Sequence, residues 1–365
     1  MNNPVGSRVS DRAVLGCVLG TAVADALGLP CEGLSRRRQP KLFADLAGYH
    51  LLPGRGMISD DTEHTLMLAQ SLIATAGEPQ DRLAARFTRD FAWRLRFWLL
   101  GLPAGIGMAT LRAMVKLWIG FPGKYSGVYS AGNAPAMRVA LVGVCYGGQR
   151  QVLLDLVRAA TRITHTDPQA EAGALAVALA ADLASRSEAP VTPAMLLQAG
   201  ASLPADRAPG LHERVEAVCA SVAAGEASAD FADRIGCKDG VTGYINHTVP
   251  AALHAWLRHP HDFRAAVTEA IRLGGDTDTV AAIVGALAGA GVGKAGIPPE
   301  WLANLWEWPR SVAWMEQVGA RLAQCVSAAS SGRAVGLNLP GLLLRNVAFL
   351  AIVLLHGFRR LLPPY

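Results

Sequence analysis

Residues 273–290 read LGGDTDTVAAIVGALAGA. A glycine pair, then two aspartates alternating with threonines, leads directly into a run of alanine, valine, isoleucine, leucine and glycine. The run lacks strand-like alternation and is long enough for about four turns of an apolar helix. A packed helix gains nothing from two carboxylates, Asp276 and Asp278, at its entrance unless something there requires negative charge. One carboxylate at a helix start is an ordinary cap, stabilising by roughly 0.5–2 kcal/mol.

Working outward, a second cluster has the same local setting. GMISDDTEHTLMLAQSL (56–72) places Ser59, Asp60 and Asp61 before a helix expected from Thr62. Capping explains one aspartate per helix. It does not explain two at each of two helices in a chain where 17% of residues are charged. Hard divalent cations supply a reason, because Mg²⁺ takes oxygen ligands from carboxylates, hydroxyls and water. Two such ions about 3.5–4 Å apart are a recurring hydrolytic device. Zinc is disfavoured, since the nearby His64 stands alone and is expected to be a packed or surface helix residue.

The composition sets the frame. Hydrophobic residues make up 51% of 365, so the chain can bury a substantial core. Its net charge of +5 comes with no Lys/Arg block longer than Arg36-Arg37-Arg38, which argues against a nucleic-acid surface and suits a phosphate-bearing small ligand. Six scattered cysteines without a C-x-x-C pair point to reduced, buried thiols in a cytoplasmic protein. Residues 12–31 imitate a signal peptide, but Asp25 inside the apolar run favours an internal helix.

Helical periodicity marks 62–75, 81–99, 151–163, 169–185, 211–224, 262–273, 279–291 and 311–328. Asp81 is expected to cap one helix, and Asp167-Pro168 to open another. The fold class is all-α: a single compact many-helix domain, 1–329, with a dinuclear metal cleft and a hydrophobic C-terminal extension, 330–365. Residues 101–133 break the helical pattern and read as a loop-rich ligand clamp. The extension carries an apolar stretch interrupted by Arg345 and Asn346, at the border of the roughly 20 residues that cross a bilayer. A docked helix is favoured over a membrane-facing segment. The eight tryptophans are expected to pack in the core rather than to stack on ligand.

Six elements in order resemble the ADP-ribosylglycohydrolases: GCVLGTAVADALGLPCEG (16–33), SDDTEHT (59–65), SAGNAPAMRVA (130–140), THTDPQA (164–170), GYINHTVPAALHAW (243–256) and GGDTDTVAAIVGALAGA (274–290). The resemblance covers roughly residues 12–320 and implies an all-α fold that holds two Mg²⁺, or Mn²⁺ in their place, in a cleft. It implies Ser59, Asp60, Asp61, Asp276, Asp278 and Thr279 as metal ligands. Glu32 is implied near the metals, with proton transfer left open among Glu32, Asp60 and Asp61. Gly132 and Asn133 would line the ADP-ribose groove, with His165 and Tyr244 near the nucleotide.

The implied activity is Mg²⁺-dependent removal of ADP-ribose from a modified protein side chain or small molecule. Its setting would be opposite a cognate ADP-ribosyltransferase, for example as immunity to a toxin. The competing reading is an idle ADP-ribose- or partner-binding module, against which every ligand position keeps its oxygen. Ser59 stands where the family usually has threonine, Ala24 where it has glycine, and Ala134-Pro135 replaces small residues in the groove loop.

Overall fold

The computed structural model describes residues 9–201 and 210–363, and among them it is all-α, with isolated β-bridges in place of strands. Every stretch read as helical is a helix, within two residues at each end. The helices that position the site are α1 (Asp11–Gly28), α2 (Asp60–Thr75), α3 (Gln80–Leu100), α4 (Pro168–Arg186), α5 (Ile245–Arg258), α6 (Thr277–Val292), α7 (Val312–Ser327) and α8 (Leu339–Arg359).

The opening stretch forms α6, and its closest neighbour is α1. The two run antiparallel with their backbones in contact. A methyl group added at Gly16 would lie 1.9 Å from the Gly289 carbonyl oxygen, and one at Gly20 would lie 2.1 Å from that of Gly285. The spacing G-x-x-x-G occurs on both partners, so each helix presents a flat strip to the other. Further along, a Cβ on Gly28 would meet the Thr277 carbonyl oxygen at 2.5 Å. The end of α1 is therefore pressed against the start of α6. Helices α4 and α5 pack on α6, while α2 and α7 pack on α1.

Local chemistry sets the helix ends. Ser10 accepts from the Ala13 amide at 3.3 Å to open α1. Asp167 accepts from the Gln169 amide at 2.9 Å, with Pro168 in the first turn of α4, as expected. Asp81 is no cap: α3 starts at Gln80 behind Pro79, whose backbone occupies the N-cap position, and Asp81 lies in the first turn beside Arg82. Helix α2 begins two residues before Thr62, with Ser59 as its N-cap, so Asp60 and Asp61 belong to its first turn.

Two further expectations are modified. Residues 101–133 include a helix, Met108–Trp118, that buries Thr110, Ala113, Met114 and Leu117 between loops. The tryptophans divide: Trp98, Trp256 and Trp301 are buried, whereas Trp93, Trp118, Trp306 and Trp308 are largely exposed. Residues 12–31 form a buried internal helix and the turn Leu29–Cys31, and all six cysteines are buried and free.

A leucine at Gly285 has no room without parting α1 from α6. Overpacking typically costs about 1–3 kcal/mol. Gly285→Leu is expected to reach the upper end of that range in urea denaturation, and an unchanged midpoint would sink the glycine-contact argument.

Candidate active site

The antiparallel α1/α6 pair brings the Asp276–Asp278 cluster beside Asp25, which holds the start of α2 and so the second cluster. Gly274 and Gly275 adopt positive φ of 68° and 78°, which glycine tolerates and other residues resist. The Gly275 amide donates to Leu34 O at 2.7 Å, and the Asp276 amide donates to Val241 O at 2.8 Å. This clamped turn aims Asp276 and Asp278 into a cavity of about 380 Å³, which Glu32, Asp60, Asp61 and Thr279 also line. From residues 101–133 come Gly105, Met108, Ser130 and Gly132, so this region borders the cavity. No tryptophan lines it among the described residues.

Hydrogen bonds tie the clusters together. Asp61 Oδ2 accepts from Ser59 Oγ at 3.2 Å and from Thr279 Oγ1 at 3.2 Å, so α2 and α6 meet through one carboxylate. Asn133 donates its amide to Asp276 Oδ2 at 2.7 Å and to Thr248 Oγ1 at 2.9 Å. Asn133 thus orients an aspartate as well as lining the groove. His165 also lines the cavity, its Nδ1 2.9 Å from Thr164 Oγ1. Burial and then the charge of Arg138 push His165 down to about 3, so the ring is neutral. Tyr244 is set apart: its ring stands at the surface, and its hydroxyl donates to Gln169 at 2.7 Å. Pro135 opens the short helix Ala134–Arg138, a first-turn position where no amide donor is needed.

The electrostatics are unfavourable by design of the packing. Desolvation, then Asp25, Glu63 and Glu32, raises Asp60 well above the usual carboxylate range. Desolvation followed by Asp60 does the same to Asp61, and desolvation followed by Glu32 does so to Asp278. Two buried oxygens, Asp61 Oδ1 and Asp278 Oδ1, find no hydrogen-bond partner. Such oxygens are costly unless a cation or donor meets them. Among the described residues no three acidic, His or Cys groups are gathered closely enough to hold a metal ion by themselves. An open wall of carboxylates and hydroxyls fits a hard cation that keeps several waters, as Mg²⁺ does.

Residues not anticipated as part of the site hold it up. Asp25, buried in α1, accepts from the Ser59 amide at 3.0 Å and from the Thr62 amide at 3.2 Å. It thereby fixes the start of α2, and burial raises it to about 6. Behind the same turn, the Ile58 amide donates to Glu307 Oε2 at 3.2 Å and Ile58 O accepts from Arg345 Nη2 at 2.6 Å. Arg345 also reaches Glu307 at 2.7 Å, while Arg310 reaches Glu63 at 2.6 Å. This buried network belongs to α8 as much as to α2. The one signal for Asp25 and Arg345 was a single charge inside an apolar run.

His64 is a packed residue, as expected. Its ring stands edge-on to Trp98 at 4.4 Å and 2.9 Å from the fully buried Arg138. A larger groove of about 730 Å³, between α3 and the helix Arg150–Arg162, carries one carboxylate, Asp155, and none of the clustered acids.

The model of the ADP-ribosylglycohydrolase family matches residues 6–331. The chain belongs to that family. A solved structure described as an ADP-ribosylglycohydrolase-related protein complex superposes with a TM-score of 0.66 at 31% identity, covering 87% of this chain and 98% of the other. An uncharacterised protein of Archaeoglobus fulgidus is 31% identical, over 79% of this chain and 90% of its own length. The ADP-ribosyl-[dinitrogen reductase] glycohydrolase of Rhodospirillum rubrum is 29% identical, over 82% and 92%. The ADP-ribosylarginine hydrolase Tri1 of Pseudomonas putida is also 29% identical, over 86% and 77%. Within this ADP-ribosylglycohydrolase, α8 lies beyond the matched residues.

Removing Arg345 takes from buried Glu307 its ion-pair partner and leaves it the Ile58 amide and the more distant charge of Arg310. Breaking a buried pair costs on the order of 3–5 kcal/mol. Arg345→Ala is expected to lose that much in denaturant unfolding, whereas exposed Arg359→Ala stays within about 0.5 kcal/mol. A second expectation concerns Asp25→Asn, which keeps the volume but loses one acceptor. Outer-shell changes of this kind cost about 10–100-fold in activity, and wild-type turnover in that variant would remove Asp25 from the site.

Proposed function

We propose that the chain hydrolyses the glycosidic bond between ADP-ribose and an arginine side chain of a modified protein, with Mg²⁺ held in the acidic cavity. Family membership and the glycohydrolase relatives support an ADP-ribosyl hydrolase. The arginine link rests on the name of the Pseudomonas putida relative. An ADP-ribosyltransferase must supply such a substrate, and defence against a toxin of that class is one setting for it.

The observation that carries the metal assignment is the pair of orphaned oxygens, Asp61 Oδ1 and Asp278 Oδ1, in a carboxylate-lined cavity. Ser59, Asp60, Asp61, Asp276, Asp278 and Thr279 are the residues that would hold up to two ions. Bound Mg²⁺ would supply activation of water and a grip on the ribose hydroxyls.

The chain's own groups divide the remaining work. Glu32 lines the cavity from just past the turn Leu29–Cys31, outside the ligand set, and in this reading it takes the proton from water. Water adds at the anomeric carbon as its bond to the acceptor nitrogen breaks, and the leaving guanidine keeps both its electron pair and a proton. Asn133 fixes Asp276, and neutral His165 stands beside Gly132 without adding positive charge near the developing oxocarbenium. Gly132 lets backbone approach the ligand, since a side chain there would run into His165.

The deciding assay is release of free ADP-ribose from ADP-ribosylated arginine and serine peptides, with Mg²⁺ or with EDTA. Release from the arginine peptide with Mg²⁺ alone is expected, and metal-independent release would end the metal assignment. Glu32→Gln should lose about 10²–10⁴-fold in kcat while retaining ADP-ribose binding. Binding itself has a separate readout: Mg²⁺ at a hundred times its Kd stabilises a protein by about 2.7 kcal/mol. Thermal unfolding should show that shift in the wild type and its loss in Asp278→Asn.

A further inference from the structure

Helix α8 meets the protein body with one side. Arg345, Phe349, Ile352, Val353 and His356 recur at the spacing of a single helical face and make the contact. Arg345 enters the Glu63–Glu307 network, Phe349 joins Leu29, Leu51 and Met57, and His356 Nε2 lies 2.9 Å from Pro30 O. Leu343, Val347, Leu350, Leu354 and Phe358 recur on the opposite face, and all are exposed, Phe358 by 66%. Asn346 donates to Gly101 O at 2.7 Å, which brings exposed Leu100 and Leu102 beside that face. Soluble monomers rarely leave so large an apolar strip uncovered.

Within the C-terminal segment itself the charge has one sign, and the acids that face it, Glu63 and Glu307 at Arg345 and Glu32 and Asp278 at Arg360, belong to the protein body. From Gln317 to Tyr365 the chain contains no Asp or Glu. Arg359 and Arg360 close the helix, and Arg38 binds the Arg360 and Leu362 carbonyls. The longest basic run in the sequence, Arg36-Arg37-Arg38, therefore meets the basic end of α8. An apolar helical face bordered by arginines complements the anionic headgroups of a lipid surface.

We propose that α8 is a monotopic membrane contact, lying flat on an anionic bilayer with its leucine face at the acyl boundary and its arginines among the headgroups. Its 21 residues are enough to cross a bilayer. Crossing would pull Arg345 away from Glu63 and Glu307, leaving two buried acids with one cation fewer. The helix therefore lies on the membrane and carries the catalytic body beside it.

The test is cosedimentation of the full chain with vesicles of phosphatidylcholine alone or enriched in phosphatidylglycerol. Binding to the phosphatidylglycerol vesicles is expected, weakened by salt and reversed by alkaline carbonate. Arg359→Gln should weaken it about fivefold. The triple variant Leu343→Gln/Leu354→Gln/Phe358→Gln should weaken it by about tenfold or more. Both variants should melt like the wild type, because their side chains touch solvent. Equal binding to neutral vesicles, or wild-type binding by the triple variant, would overturn the proposal. Retention after carbonate would mean a spanning helix. No vesicle binding together with a sedimentation-equilibrium dimer would assign the face to a second copy.

Discussion

Backbone contact between α1 and α6 is the constraint on which the rest of the molecule depends. Gly16 and Gly20 lie against Gly289 and Gly285, so no side chain separates the two helices. Because the pair is antiparallel, this contact fixes which ends meet. Asp25, at the far end of α1, and Glu32, just past the turn Leu29–Cys31, are carried to the start of α6 and its two aspartates. Asp25 in turn holds the first turn of α2 through backbone amides. Three distant stretches of sequence become one acidic wall, and none of them needs a neighbour in sequence to do so.

Helix α2 shows how neighbours decide the fate of a buried carboxylate. Asp61 and Glu63 are both buried in its first turn. Asp61 faces Asp60, Asp25 and Asp276, and its carboxyl is driven well above the ordinary range. Glu63 suffers the same desolvation, but Arg310 and Arg345 outweigh it and hold the carboxyl low. One residue is satisfied by the protein and the other is left open toward the cavity. The satisfied one lies behind the wall, where it locks α2 to α8 and to Trp98.

Much of this was legible in the sequence, and what was not follows a pattern. The helices were readable because apolar residues recur at helical spacing along each of them. The two Asp clusters were readable because they are excess charge in a charge-poor chain. Their convergence was anticipated from a shared cation and from the family resemblance, but the contact that enforces it was not, since Gly28 and Asp278 are far apart in sequence. Asp81 was misplaced as a cap because Pro79 sets the helix start one residue earlier. The roles of Asp25 and Arg345 were hidden for a related reason. A lone charge in an apolar run announces that it has a partner without saying where the partner is. Tyr244 illustrates the converse, a motif residue whose ring is held at the surface by Gln169 rather than in the cavity.

The unpartnered oxygens of Asp61 and Asp278 have a consequence for evolution of the chain. Each sits where a neutral amide of the same shape would fold more comfortably, since it would bring a donor and remove repulsion. On the proposed metal assignment, folding stability and chemistry select opposite residues at these positions. A library of variants ranked by thermal tolerance, with no substrate in the tube, would be enriched in substitutions along the wall. The places where the protein improves most easily as a folded object are the places proposed to hold its metal.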